Sequence, residues 1–162
     1  MRFVAATPSP PALSSLQMAA DALDQLERED PAEMPPAALG EEIEDLFTIQ
    51  HRVAAAITRR VAVFDRGRGC AALEAHSTAA WLRRQVRLAP NAASEQVRVA
   101  RELDRRPEVG RAFAAGEVGF AHAQVITRVL EDAPADVARE AEPALVEVAR
   151  RTDAHRLGMA TR

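Results

Sequence analysis

Glu41-Glu42-Ile43-Glu44-Asp45-Leu46-Phe47-Thr48-Ile49-Gln50-His51-Arg52-Val53-Ala54-Ala55-Ala56-Ile57-Thr58-Arg59-Arg60-Val61-Ala62-Val63-Phe64-Asp65 is the stretch of this 162-residue chain with the most sustained rhythm. Ile43, Leu46, Phe47, Val53, Ala54, Ile57, Val61 and Phe64 fall on one arc about 120° wide at the helical period, and no strand-like alternation competes with it. The spacing predicts a long helix over 41–65, on the order of 37 Å at about 1.5 Å per residue. Glu41, Glu42 and Glu44 then occupy its first turn, where carboxylates suit the positive end of the helix dipole.

Working outward from that helix, the same grammar continues in both directions. Towards the N-terminus, Pro8, Pro10 and Pro11 mark a flexible start, with Pro11 able to open a helix through Leu13, Leu16, Leu23 and Leu26 to about Glu29. Asp30-Pro31 and Pro35-Pro36 read as a loop. The expected organisation is a flexible, proline-containing segment with one helix over 1–35 and a helical domain over 36–162. Towards the C-terminus, Arg66-Gly67-Arg68-Gly69 breaks the long helix, and Ser77 caps the next one, which carries Trp81, Leu82 and Val86. Pro90, Pro107 and Pro134 open further helices, and Gly116 has the character of a C-terminal cap. Phe120 to Glu131 forms another helix, and Thr152-Asp153 caps a last one, expected to be cut short at Arg162. The fold class is therefore all-α: an irregular multi-helix bundle of about six to eight helices with no sheet. Trp81, Leu82, Leu103, Phe113 and Ile126 lie on the apolar arcs and are expected to be largely buried.

Composition narrows the function classes. Hydrophobic residues make up 48% of the chain but aromatics only 4%, so alanine-rich helices must pack closely. All 21 basic residues are arginine and asparagine occurs once, at Asn91, a bias that a high-G+C genome explains as well as function does. Cys70 is the single cysteine, which excludes an internal disulfide and a cysteine zinc cluster. With no disulfide framework, no signal peptide ahead of Thr7-Pro8 and no long apolar run, a cytoplasmic protein without a membrane span is expected. The net charge of −3 is uneven. Residues 1–65 hold five Arg against eleven acids, residues 66–111 ten against five, and the remainder six against eight.

Several pieces of the middle region form a recognisable set: Ser77-Thr78-Ala79-Ala80-Trp81-Leu82, Ala100-Arg101-Glu102-Leu103, Pro107, Ala114-Ala115-Gly116-Glu117-Val118 and Ala121-His122-Ala123. Together they resemble the family called domain of unknown function 222 (DUF222), also known as the 13E12 repeat family, over about residue 40 to the end. The resemblance implies the helical N-terminal region of actinobacterial HNH endonuclease-like proteins, in which an HNH module follows. One position departs from the pattern: Gly119 stands where a small hydroxyl residue is usual, which implies a weaker cap for the next helix.

No complete catalytic or metal-binding set is legible. HNH cleavage needs His and Asn clustered about a divalent ion, whereas His51, His76, His122 and His155 lie far apart and none neighbours Asn91. Any divalent metal is expected only in a module beyond Arg162, and this chain is expected to need no cofactor. His122 reads as a packing histidine, Cys70 as a passive loop thiol, and Glu140 and Glu142 as no acid/base pair, since residues two apart do not share a helix face.

The candidate nucleic-acid residues are Arg83, Arg84 and Arg87 on the Trp81 helix and Arg98, Arg101 and Arg105 on the following one, each trio on one arc. Two arcs on a common side would form a phosphate-binding patch, and reversing three of these arginines to Glu is expected to leave the fold intact. Glu95, Glu102 and Asp104 are placed to pair with the same arginines and make them a solvated face instead. Two functions follow: a non-catalytic domain that contacts or positions duplex DNA, or a helical interaction or self-association module that does not.

Overall fold

Most of the helices start where the local chemistry supplies a cap or a preset φ. The computed structural model describes residues 14–161, and the expected proline-rich start and the opening role of Pro11 lie outside the described residues. Among the described residues there are nine α-helices and no strand: α1 (Ser15–Leu26), α2 (Pro36–Arg66), α3 (Gly69–Ala72), α4 (Thr78–Gln85), α5 (Pro90–Leu103), α6 (Pro107–Ala115), α7 (Phe120–Glu131), α8 (Ala135–Ala149) and α9 (Ala154–Ala160). A 3₁₀ turn, Pro31–Glu33, lies between α1 and α2. The fold is all-α.

The chain divides into two units, Met1–Glu42 and Ile43–Arg162. In the first, the Ser14 hydroxyl accepts from the Gln17 N–H at 3.2 Å and caps α1, and Asp30 caps the 3₁₀ turn in the same way. No residue of α1 is buried.

Helix α2 begins at Pro36, five residues before the predicted start. Pro36 carries the φ of a first helical residue, and the Pro35 carbonyl accepts from the Leu39 N–H at 3.0 Å, so the Pro-Pro pair opens the helix instead of forming a loop. The 31-residue helix is about 46 Å long. Glu41, Glu42 and Glu44 consequently lie beyond its first turn, and the expected dipole role passes out of reach.

In the second unit, the Ser77 hydroxyl accepts from the Ala80 N–H at 3.1 Å and starts α4, while Pro90 and Pro107 stand at the first positions of α5 and α6. Gly116 ends α6 at φ +84°, with the Glu117 N–H returning to the Ala112 carbonyl at 3.0 Å. That left-handed step is natural to glycine alone among these neighbours. Gly119 has a different reason to be glycine. A Cβ there would stand 2.8 Å from His51 Nε2 on α2, so a larger residue would force the His51 ring to move. The α7 cap is supplied instead by His122, whose Nδ1 accepts from the Gly119 N–H at 3.4 Å.

The core is built from small side chains in two clusters. One gathers Val99, Val109, Phe113, Ile126, Leu130 and Leu157 from α5 to α9, with Phe113 and Phe120 rings 6.3 Å apart. The other joins Val61 and Ala62 of α2 to Leu82 of α4 and Ala93, Val97 and Ala100 of α5. Leu82, Phe113 and Ile126 are buried, whereas Trp81 and Leu103 are only half-buried. Trp81 lies at the margin of the bundle, stacked on Phe64 with ring centroids 4.7 Å apart. Leu103 lines a groove open to solvent.

Candidate functional site

The arginine segment is wired into the fold. Arg98 of α5 is the centre of the wiring, with a side chain only 18% exposed. It pairs with Glu95 at 3.0 Å and Glu131 at 3.1 Å, and donates to the Gln124 carbonyl at 3.1 Å. Glu95 also accepts from Arg128 at 2.5 Å and from Gln124 Nε2 at 3.0 Å, which binds α5 to α7. Arg101 reaches Asp65 with two donors, at 2.8 and 3.2 Å, and Asp65 accepts from the Thr78 hydroxyl at 2.7 Å. One carboxylate thus ties the last turn of α2 to α4 and α5. Arg105 pairs with Glu102 at 3.0 Å. Of the three acids placed by sequence to neutralise this helix, Glu95 and Glu102 do so, whereas Asp104 pairs with Arg66.

Arg83, Arg84 and Arg87 do not share a helical arc. Helix α4 ends at Gln85, two residues short of Arg87, which sits outside it at φ +61°. Arg84 donates to the Leu73 carbonyl at 3.0 Å. All three are exposed, but the two trios differ in kind: Arg98, Arg101 and Arg105 are engaged by carboxylates, and a phosphate would have to displace them.

These pairs set an acid limit on stability. The hydrogen bonds from Arg101 hold the Asp65 carboxyl below its ordinary pKa, aided by Thr78 and opposed by burial. Burial is the largest single influence on Glu95 and pushes it up, but the hydrogen bonds from Arg98, Arg128 and Gln124 together outweigh it and leave the group lowered. A carboxyl whose pKa is depressed on folding stabilises the fold fully above its unfolded value, about 3.9 for Asp and 4.3 for Glu, and loses that contribution as pH falls through the folded value. Urea midpoints measured between about pH 5 and 2 are expected to fall steadily, and Asp65→Asn is expected to flatten part of that fall. An unchanged acid limb in Asp65→Asn would show that Asp65 does not carry it.

The histidines are structural and separate. His51 lies 3.2 Å from the Gly116 carbonyl. His122 accepts from Gly119 through Nδ1, which leaves Nε2–H to donate to the Thr152 carbonyl at 2.9 Å. His76 and His155 are exposed. Among the described residues no group of three His, Cys, Asp or Glu is placed to hold a metal ion, and no helix is long and apolar enough to cross a membrane. Cys70 is a free, half-buried thiol in α3.

Glu142 has a role that the sequence reading missed. It is buried in α8, and its carboxylate accepts from the N–H groups of Glu108 and Val109 at 2.8 and 3.0 Å, capping α6 from across the bundle. The available signal is the start of α6 at Arg106-Pro107, which offers no Ser, Thr, Asp or Asn cap of its own. Arg106, also buried, donates to the Leu130 carbonyl at 2.6 Å and ends α7 in the same borrowed manner.

What remains open is α2. Of its residues only Ala55, Thr58, Val61 and Ala62 are buried. The predicted apolar arc is divided: its C-terminal part, Val61 and Phe64, is covered by α4 and α5, while Ile43, Phe47, Val53 and Ile57 are 47, 57, 52 and 50% exposed. Four large apolar side chains on one helical face, with the charged positions beside them, form an uncovered stripe. Beside the stripe, and sharing Val53 with it, Ile49, Arg52 and Ala56 face Ala100, Leu103 and Phe113 across an open groove of about 620 Å³.

No curated protein and no solved structure matches this chain. The family model described as domain of unknown function (DUF222) matches residues 40–161, about three-quarters of the sequence, covering most of α2 and the whole of α3 to α9, and the chain belongs to that family.

Proposed function

We propose that this chain is a non-catalytic helical association domain whose contact surface is the open face of α2. The carrying observation is the stripe Ile43, Phe47, Val53 and Ile57, left about half exposed on a helix of which only Ala55, Thr58, Val61 and Ala62 are buried. Contiguous exposed apolar surface of this kind marks sites of association. The reading needs no cofactor, and the lone cysteine fits a reducing cytoplasm. The family resemblance implies that such a helical region stands ahead of an HNH module in an actinobacterial protein.

The competing reading, direct contact with duplex DNA, is weakened because Arg98, Arg101 and Arg105 are held in ion pairs. It retains Arg83, Arg84 and Arg87.

Sedimentation equilibrium separates the two. The average mass of the wild-type chain is expected to rise with concentration from about 1 to 200 µM, and Phe47→Glu/Ile57→Glu is expected to stay monomeric with unchanged helical circular dichroism. A wild-type chain that remains monomeric throughout overturns the association reading. Duplex binding at low salt whose salt slope falls on mutating Arg83, Arg84 and Arg87 would put the DNA reading in its place.

A further inference from the structure

We infer that the partner on this face is a second copy of the chain, with its α2 antiparallel to the first and crossing it at Gln50. This rests on the association reading above and names the occupant and its geometry. The stripe is a palindrome. From Ile43 to Phe47, Gln50, Val53 and Ile57 the steps are four, three, three and four residues, all on one side of the helix at about 100° per residue. A two-fold axis at Gln50 therefore sets Ile43 opposite Ile57 and Phe47 opposite Val53, a large side chain against a small one, with Gln50 facing its own copy. A primary amide both donates and accepts, so two such groups on an axis can satisfy each other.

The charges carry the same symmetry. Glu42 and Arg60 are eighteen residues apart on α2. Eighteen residues are about five helical turns, so this acid and this arginine project from the same edge of the helix, beside the stripe. In an antiparallel pair like edges meet, and Glu42 of one copy comes to Arg60 of the other. A parallel pair brings unlike edges together, so Glu42 and Arg60 would not meet and this ion pair would be lost, which favours the antiparallel arrangement.

The stripe stops after Ile57 because α4 and α5 cover the next apolar positions, Val61 and Phe64. The paired segment is therefore only about 21 Å long. An interface of that size falls at the weak, reversible end, with a dissociation constant on the order of tens of micromolar.

The test uses the full chain. In a Cys70→Ser background, Gln50→Cys is expected to form an interchain disulfide under mild oxidation, since the two-fold brings the paired Cβ atoms within reach. Ala56→Cys, exposed and about 120° around the helix, is expected to form far less. By sedimentation, Glu42→Arg and Arg60→Glu are each expected to weaken association about tenfold, and the double exchange to restore it to within about threefold of wild type. Association without a Gln50→Cys cross-link and without charge-exchange rescue would overturn the antiparallel arrangement while leaving the association reading standing. A wild-type chain that stays monomeric at all concentrations would remove both.

Discussion

Phe113→Ala is expected to destabilise the fold by about 3–5 kcal/mol, at the upper end for a single truncation. The ring is fully buried where α6 meets α7, in contact range of Phe120 and among Val109, Ala112 and Ile126. Its neighbours are mostly alanine and valine, short side chains that cannot swing into the space it leaves, so the cavity term stays large. For a domain of this size the unfolding temperature should drop by roughly 6–20 °C. Trp81→Ala is the informative contrast. Trp81 is the larger side chain, but it is half-exposed and touches the margin of the bundle, so its removal should cost less than that of Phe113. Urea unfolding followed at the helical dichroism band measures both. A loss below about 1 kcal/mol for Phe113→Ala, or a larger loss for Trp81→Ala, would mean that the core is not organised around Phe113.

That ranking shows where sequence reading stops. Local chemistry was legible: Ser77 caps α4, Pro90 and Pro107 open α5 and α6, and Gly116 closes α6, because each acts on backbone within a few residues of itself. Periodicity also identified correctly which residues of α2 share a face. It carries no information on whether anything covers that face, so Ile43 and Val61, on the same arc, ended one in solvent and the other in the core. Trp81 and Leu103 fall to the same ambiguity. Long-range partners left weaker traces still. The cap of α6 comes from Glu142, 34 residues after Glu108, and only the missing local cap hinted that an acceptor must arrive from elsewhere. Gly119 appeared as a weak cap when seen alone, and the reason for it, the approach of His51, lies 68 residues away on another helix.

The arginine segment shows the functional cost of that blindness, and Arg98→Glu is the variant that exposes it. From spacing, Arg98 belongs to a solvent-facing arc with Arg101 and Arg105, and its reversal should leave the fold intact. In the structure its guanidinium is enclosed between α5 and α7, on Glu95, Glu131 and the Gln124 carbonyl. Reversal removes every one of those donors and introduces a third carboxylate beside two others. Breaking one partner of an enclosed ion pair typically costs about 3–5 kcal/mol, because the remaining charge is left without compensation. Arg98→Glu is therefore expected to lower stability by that amount, and Arg83→Glu, exposed and outside the ion pairs, by less than about 0.5 kcal/mol. A weakened DNA interaction after reversing Arg98 would then report loss of the folded α5–α7 junction and say nothing of phosphate contacts. Reversing Arg83, Arg84 and Arg87 instead keeps the two effects apart. If Arg98→Glu unfolds at the same urea concentration as wild type, the network around Glu95 is not holding α5 to α7, and the arginine returns to the pool available for an external anion.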